Sequence, residues 1–245
     1  MTTPHHAYTG LADEYNELLG AQAEATWRRG VMADLVRVGV PQYATVLDLA
    51  AGTGIGGRLL REVEPTLIVL GLDHSRAMLR QAGTWYQRTI EADLCQIPLP
   101  EKSVDLAVSG FDSLNYLDEV RLGQCLAEVA RVLRPAGHLV FDYSSPFLLV
   151  EQWRDHNQAE RLPDGWLRWR HRYDSSADRC VSTLTRFHAA TIRWSETHVQ
   201  YALDTFQLHQ LASSVGLHVE RVRDLHRAEF SPACRTHVWT LRRVI

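Results

Sequence analysis

The apolar positions of the chain change period as it runs from one end to the other. Between Leu11 and Val38 they recur every three or four residues. Leu11, Tyr15, Leu18 and Leu19 make one short stripe, and Trp27, Val31, Leu35 and Val38 make a second. That spacing predicts amphipathic helices, stopped by Gly39 and Pro41. From Val46 onward, short unbroken apolar runs alternate with helical stripes. Residues 46–50, 67–72, 86–91, 104–108 and 138–143 read as strands. Residues 58–63, the stretch through Met78 and Leu79 behind Ser75, and 118–133 read as helices, with Ser75 as an N-cap. Strands with little alternation are buried on both faces, so this rhythm predicts a parallel sheet covered by helices on both sides.

Beyond Pro146 the period drops to two. Around Trp166–Tyr173, Cys180–Phe187 and Ile192–Tyr201, polar and apolar residues alternate, which predicts antiparallel strands. Asp204–Val215 returns to helix with Gly216 in a C-terminal cap position, and 217–222 and 237–241 read as the last two strands. Neither an internal repeat nor a linker stands out, so residues 1–245 are expected to form one domain with an antiparallel insertion.

Composition narrows the function classes. The chain has 245 residues, 45% of them hydrophobic, enough for a substantial core. A net charge of −3 gives no global field for nucleic acid or anionic membranes. The apolar runs are too short to cross a bilayer, and Met1–His6 lacks the features of a signal peptide, so a cytoplasmic protein is expected. His5 and His6 are too few to read as a tag. Cys95, Cys125, Cys180 and Cys234 are scattered without CxxC spacing, which favours reduced thiols over zinc or redox centres; no metal site is expected. Lys102 is the only lysine, and every other basic residue is arginine.

The chemistry concentrates in Val46–Gly57. An apolar strand carries Asp48, enters the turn Gly52-Thr53-Gly54 and runs into a helix. Glycine allows a tight turn and a close ligand approach, and the helix start offers unpaired N–H groups. Gly52, Gly54 and Gly57 satisfy GxGxxG, a weak signal for NAD or FAD. Asp48 opposes that assignment, because a carboxylate repels a pyrophosphate and suits a cationic group.

Together these residues resemble the class I S-adenosylmethionine-dependent methyltransferases. The family's first motif, acidic-x-x-x-Gly-x-Gly, is matched by Asp48–Gly54. The second acidic position is matched by Asp73, the third by Asp93, and the turn into the fifth strand by Leu133–Leu139. The resemblance covers about residues 44–142. It implies an α/β, Rossmann-like, seven-stranded, mostly parallel sheet with helices on both faces. An N-terminal helical lid (1–40), a cofactor-binding core (44–145), an inserted antiparallel substrate cover (146–202) and a sheet-completing C-terminal part (203–245) would follow. It further implies S-adenosyl-L-methionine as cofactor, with S-adenosyl-L-homocysteine as product. Ala50, Gly52 and Gly54 would cradle its methionine end, and Asp48 would order the turn and attract the ammonium. Asp73, with His74 beside it, would accept from the ribose. Asp93 and Leu94 would read the adenine, Met78 would pack on it, and Trp27 and Ser109 would complete the site.

Residues 109–117, the opening Tyr8, Tyr15 and Trp27, and Glu196-Thr197-His198 resemble small-molecule N-methyltransferases that act on amino sugars, glycine and lincosamide-type amines. The expected function is methyl transfer to the nitrogen of a small amine, plausible in bacterial antibiotic biosynthesis. An O-methyltransferase is the near alternative and an NAD-linked oxidoreductase the distant one. Tyr8 and Tyr15 are the expected aromatic lid. His198 is the best-placed histidine, and Asp112 and Asn115 lie in the loop expected to face the methyl. Arg28 and Arg29 are the candidates for the cofactor carboxylate. Trp153, Trp166, Trp169 and Trp194 suit a cover for a polar, ring-containing substrate, or a subunit interface through the inserted strands. No nucleic-acid or membrane partner is expected.

Overall fold

The computed structural model describes residues 7–189 and 191–244; His5 and His6 lie outside them. The lid begins with a 3-10 turn, Ala12–Glu14, and continues as α1 (Tyr15–Leu18), α2 (Gly20–Trp27), a π-helical turn (Arg28–Met32) and α3 (Ala33–Val38). Gly39 ends it with φ 84°, a left-handed value that suits glycine. The core follows as β1 (Thr45–Leu49), α4 (Ile55–Val63), β2 (Ile68–Asp73), α5 (Arg76–Gln81), β3 (Arg88–Glu91), β4 (Val104–Ser109), α6 (Glu119–Val132) and β5 (Leu133–Ser144). Ser75 caps α5 by accepting from the Met78 N–H, and Asp118 caps α6 by accepting from that of Arg121.

A second sheet then forms, with β6 (Asn157–Leu162), β7 (Gly165–Asp174), β8 (Arg179–His188) and β9 (Thr191–Tyr201) in simple antiparallel order. The chain returns through α7 (Thr205–Ser214), held by a capping box between Asp204 and Gln207, to β10 (Leu217–Asp224) and β11 (Thr236–Arg243). Strand β6 and the π-helical turn Phe147–Gln152 escape the sequence pattern. The exposed β6, Asn157-Gln158-Ala159-Glu160-Arg161, carries no apolar alternation because it is an edge strand paired on one side only.

The main sheet has seven strands in the order β10-β11-β5-β4-β1-β2-β3. Strand β11 runs antiparallel to both neighbours, wedged between β10 and β5. The doubly wound dinucleotide order 3-2-1-4-5-6 has no such wedge, so the topology separates this sheet from the NAD-binding alternative. Strand order reverses between β1 and β4. The crevice beyond the carboxyl ends of those strands is where open α/β sheets bind ligands. Lys102 lies at the opposite, amino edge, exposed in the turn that feeds β4.

Two ion-pair systems fix the lid. Asp34 of α3 accepts from Arg223 Nε at 2.7 Å and from Thr240 Oγ1, all buried, which ties α3 to β10 and β11. Glu14 pairs with Arg186 at 3.0 Å and accepts from the Trp194 indole at 2.9 Å, which ties the lid to β8 and β9. Each buried carboxylate is thus matched by a cation and further donors, as burial of charge requires. The cavity between the main sheet, lid and second sheet is therefore held from three sides.

Candidate active site

The glycine turn is built around packing as much as around a ligand. Ala50, Gly52 and Gly54 all have positive φ (56°, 54° and 89°). A Cβ on Gly54 would stand 2.6 Å from the Ala82 carbonyl, so the turn demands glycine there. The third glycine, Gly57, makes room for Tyr86, whose ring a Cβ would approach to 2.6 Å. The Tyr86 hydroxyl accepts from Gly57 N–H (3.2 Å) and donates to Asp48 Oδ2 (2.7 Å). Tyr86 has no motif to betray it and was missed from sequence. Asp48 is fully buried; desolvation raises its carboxyl to about 7 against the Tyr86 hydrogen bond, and its Oδ1 has no partner among the described residues. It orders the turn through Tyr86.

Asp73 ends β2 with one oxygen accepting from Gly52 N–H (2.8 Å) and the other from Ser75 N–H (2.7 Å). Burial raises its carboxyl while those two N–H groups pull it down. His74 is exposed, with Nδ1 3.6 Å from the same carboxylate. Met78 is buried, and its Cε would lie 3.4 Å from a Cβ on Gly52, so it roofs the turn. A pinned carboxylate, a glycine with no side chain and a buried carboxyl oxygen without a partner suit a ligand bearing a diol and an ammonium. The residues present fit S-adenosylmethionine.

Other expected contacts fall elsewhere. Asp93 and Leu94 follow β3, but the Asp93 carboxylate is held by Arg121 (2.8 Å to each oxygen) and by the Cys95 N–H. Ser109 spends its hydroxyl on the Leu49 carbonyl (3.1 Å), joining β4 to β1. Trp27 is a buried wedge: a Cβ on Gly56 would lie 2.7 Å from its ring, and one on Gly110 2.5 Å from its Nε1. Arg28 is engaged on the surface with Glu24 and Glu62, away from the turn. Arg29 is exposed beside Arg221 and Arg223 in a separate cleft. Neither arginine is placed to meet a carboxylate in the glycine turn.

Asn115 is the clearest change of role. Its amide donates to the Ser144 and Tyr201 carbonyls and accepts from Ser144 N–H, at 2.8–3.1 Å. Its polar atoms are committed to backbone, so it staples β5 to β9 and positions the site.

Beside the turn lies a cavity of about 250 Å³, which reaches from Gln22 and Thr26 of α2 to the second sheet. Three carboxylates line it, Asp112, Asp142 and Glu160, and its lining includes neither lysine nor arginine among the described residues. Asp142 accepts from the N–H groups of Phe111 (3.0 Å) and Asp112 (2.6 Å), both of which have left-handed φ. Such strain in consecutive non-glycine residues is typical of functional sites. Asp112 accepts from the Ser144 hydroxyl at 2.9 Å. Desolvation pushes Asp112 up to about 6 and Asp142 up to about 7. Asp142 interrupts the apolar run Leu139-Val140-Phe141, the one signal that pointed to it.

Flat rings form the opposite wall. Trp153, His171 and Trp169 stack in sequence (4.6 and 5.9 Å between centroids), and Trp169 meets His198 at 6.2 Å. Burial lowers His171 to about 4, so it is a neutral ring; it is hydrogen-bonded to Ser182 at 2.7 Å. From the lid, Tyr8 stands edge-on to Tyr15 (6.1 Å) and His198 (5.0 Å). Tyr116, which sequence reading passed over, lies 2.8 Å from the Tyr8 hydroxyl and 2.9 Å from His198 Nδ1.

The fold and the turn fit a nucleotide-type cofactor beside the acidic cavity. Residues 46–137 match the methyltransferase domain family, and that match, with the relatives and solved structures below, supports an S-adenosylmethionine-dependent methyltransferase enzyme. Among curated relatives, the chain is 28% identical to the Bacillus subtilis (strain 168) protein YqeM over 88% of each chain. It is 34% identical to a Thermus thermophilus demethylmenaquinone methyltransferase, over 52% of this chain and 58% of that one. It thus spans little more than half the length of the quinone enzyme. Among solved structures, a Clostridium acetobutylicum S-adenosylmethionine-dependent methyltransferase shares the fold at TM-score 0.82 and 18% identity, over 98% and 100% of the chains. The sugar N-methyltransferase KedS8 from a Streptoalloteichus species does so at 0.67 and 22%, over 91% and 87%.

Proposed function

We propose that the chain methylates the nitrogen of a small, ring-bearing amine, with antibiotic biosynthesis as a plausible setting. The observation that carries this is the acidity of the cavity: three carboxyl groups and no lysine or arginine in its lining among the described residues. Burial holds Asp112 and Asp142 partly protonated near neutral pH, so an ammonium that stabilises their ionised form gains from the pairing, whereas a carboxylate substrate would be repelled. Trp153, His171 and Trp169 offer stacked ring faces to a flat or sugar-like body and to positive charge. The likeness to a sugar N-methyltransferase agrees with this choice; the quinone methyltransferase is the competing analogy.

S-adenosylmethionine supplies a methyl group already activated on a sulfonium. The chain's part is to align and to exclude water. Asp73 and the glycine turn hold the donor, while Asp112 and Asp142 draw the amine to the same crevice. Alignment of this kind is worth about 7–11 kcal/mol. Tyr8 and Tyr15 close the lid side, and Asn115 keeps the β4 loop in register with β9.

The reading is tested by incubating the protein with S-adenosylmethionine and matched amines, their hydroxyl isosteres and a quinol, with mass detection of methylated product. Turnover of amines is expected. Methylation of only the hydroxyl isosteres or of the quinol carbon overturns the assignment.

A further inference from the structure

One carboxylate in the second sheet belongs to two structures at once. Glu196, buried on β9, accepts from the N–H groups of Tyr8 (3.2 Å), Thr9 (2.9 Å) and Gly10 (2.9 Å). The lid backbone therefore wraps an anion, and Tyr8 takes a φ of 64° to do so. Gly10 is needed for the approach, because a Cβ there would stand 2.8 Å from Trp194. Two residues along the strand, His198 Nε2 lies 3.6 Å from Glu196 Oε1. That nitrogen is buried and has no hydrogen-bond partner among the described residues.

The other ring nitrogen begins a directed line. Tyr8 donates to the Tyr116 oxygen at 2.8 Å, which leaves the Tyr116 hydrogen for His198 Nδ1 at 2.9 Å. Nδ1 is then the acceptor and Nε2 carries the hydrogen, aimed at Glu196. We propose that Tyr8, Tyr116 and His198 form a proton line, assembled only when Glu196 has docked the lid, that removes the proton from the bound ammonium before methyl transfer. This rests on the amine reading above.

An ammonium nitrogen has no lone pair and cannot attack a methyl. Its N–H bond breaks as a proton passes to the Tyr8 oxygen, the Tyr8 proton to Tyr116, and the Tyr116 proton to His198 Nδ1. The neutral amine keeps the electron pair that forms the new N–C bond, and the C–S bond breaks toward sulfur. The imidazolium now has two N–H groups, and its charge draws Nε2 across the 3.6 Å gap to Glu196. Burial raises both tyrosines well above their ordinary range, so they hand the proton on without holding it as phenolates. Burial works to raise Glu196, but His198 and the Gly10 amide outweigh it and hold the carboxyl below its usual value. Asp112 also faces His198 from the β4 loop, Trp169 covers it from β7, and the neutral Ser182 pairs with it on β8. Tyr8 is the end that touches substrate, and Glu196 is a positioning residue.

Three measurements on the full chain test this, the first two with S-adenosylhomocysteine and the third with S-adenosylmethionine. Nitrogen NMR, with His198 assigned by loss of its signals in His198→Gln, should show Nε2–H with Nδ1 accepting; the opposite tautomer overturns the line. Hydrogen exchange at residues 8–10 should speed up at least tenfold in Glu196→Gln and hold in His198→Gln; equal protection in Glu196→Gln overturns the latch. With a turned-over amine, Tyr116→Phe and His198→Gln should lower kcat about 100-fold near neutral pH, with KM little changed. Activity should return as pH exceeds the amine's own pKa. Profiles superposing on the unsubstituted protein overturn the use of the line. If no amine turns over, the amine reading and this use of the line fail together, while the first two measurements still decide the geometry.

Discussion

Gly110→Ala isolates the wedge that seats the lid on the sheet. Gly110 follows β4 and needs no special φ, so an added methyl acts through space alone. That methyl would lie 2.5 Å from Trp27 Nε1 and 2.7 Å from Cδ2. The indole cannot retreat, because its far edge rests on Gly56, where a Cβ would be 2.7 Å away. Overpacking with no room to relax belongs at the upper end of the usual ~1–3 kcal/mol, so about 2–3 kcal/mol is expected. For a chain of this size that is a loss of roughly 4–12 °C in Tm. Calorimetry should be run on Gly110→Ala, Trp27→Leu and the double variant. Trp27→Leu opens a cavity and destabilises by itself, but it removes the clash, so Gly110→Ala should cost almost nothing in that background. Costs that add to within about 0.5 kcal/mol would refute the wedge.

Asp73→Ala should weaken S-adenosylhomocysteine binding about 10- to 100-fold by titration calorimetry, the worth of charge-assisted bonds of ~1.5–3 kcal/mol; an unchanged Kd removes the ribose assignment. The Asp112 carboxyl at about 6 and those of Asp142 and Asp48 at about 7 lie above the unfolded value near 4, so the folded chain holds extra protons between. Stability should be greatest on the acid side of that window and fall as pH rises through it, at most ~1.4 kcal/mol per pH unit per group. Asp142→Asn should flatten the slope in urea melts at pH 5–8; an identical slope refutes it. Asn115→Ala removes three hydrogen bonds to backbone groups, of which the Tyr201 carbonyl alone keeps another side-chain donor, the Tyr143 hydroxyl, and should cost roughly 2–4 kcal/mol, read as a lower urea midpoint; a loss under 1 kcal/mol would deny the staple. Tyr15→Phe should lower turnover more than cofactor affinity if its hydroxyl orients the amine; the reverse split places it in lid packing alone.

The sheet was legible because its strands are buried on both faces. Short runs such as Val46-Leu47 and Leu67–Leu72, bounded by turns, suit buried strands, and β1, β2 and β4 fell close to where they pointed, whereas β5 begins at Leu133, five residues before the expected start. The cap at Ser75 was legible because capping is local, and the structure adds caps at Asp118 and Asp204 where the expected helices begin. Edge strand β6 was not legible, since one-sided pairing imposes no apolar period. In the site, glycines and strand-end aspartates announced the turn, because close approach and a pinned carboxylate leave few choices of residue. The partners of those carboxylates did not. Tyr86 reaches Asp48 across 38 residues, Tyr116 reaches His198 across 82, and Glu196 reaches the lid across more than 180. Such pairings obey no spacing along the chain, so Asn115 looked like a site group until its amide was seen to be spent on backbone.

The direction of the parallel strands has a practical outcome. It sets the crevice on one rim of the molecule and the exposed turn bearing Lys102 on the other. Since no second lysine exists in the chain, amine-reactive reagents find a single side-chain handle, remote from the chamber. A dye or solid support attached there would leave the entrance facing outward.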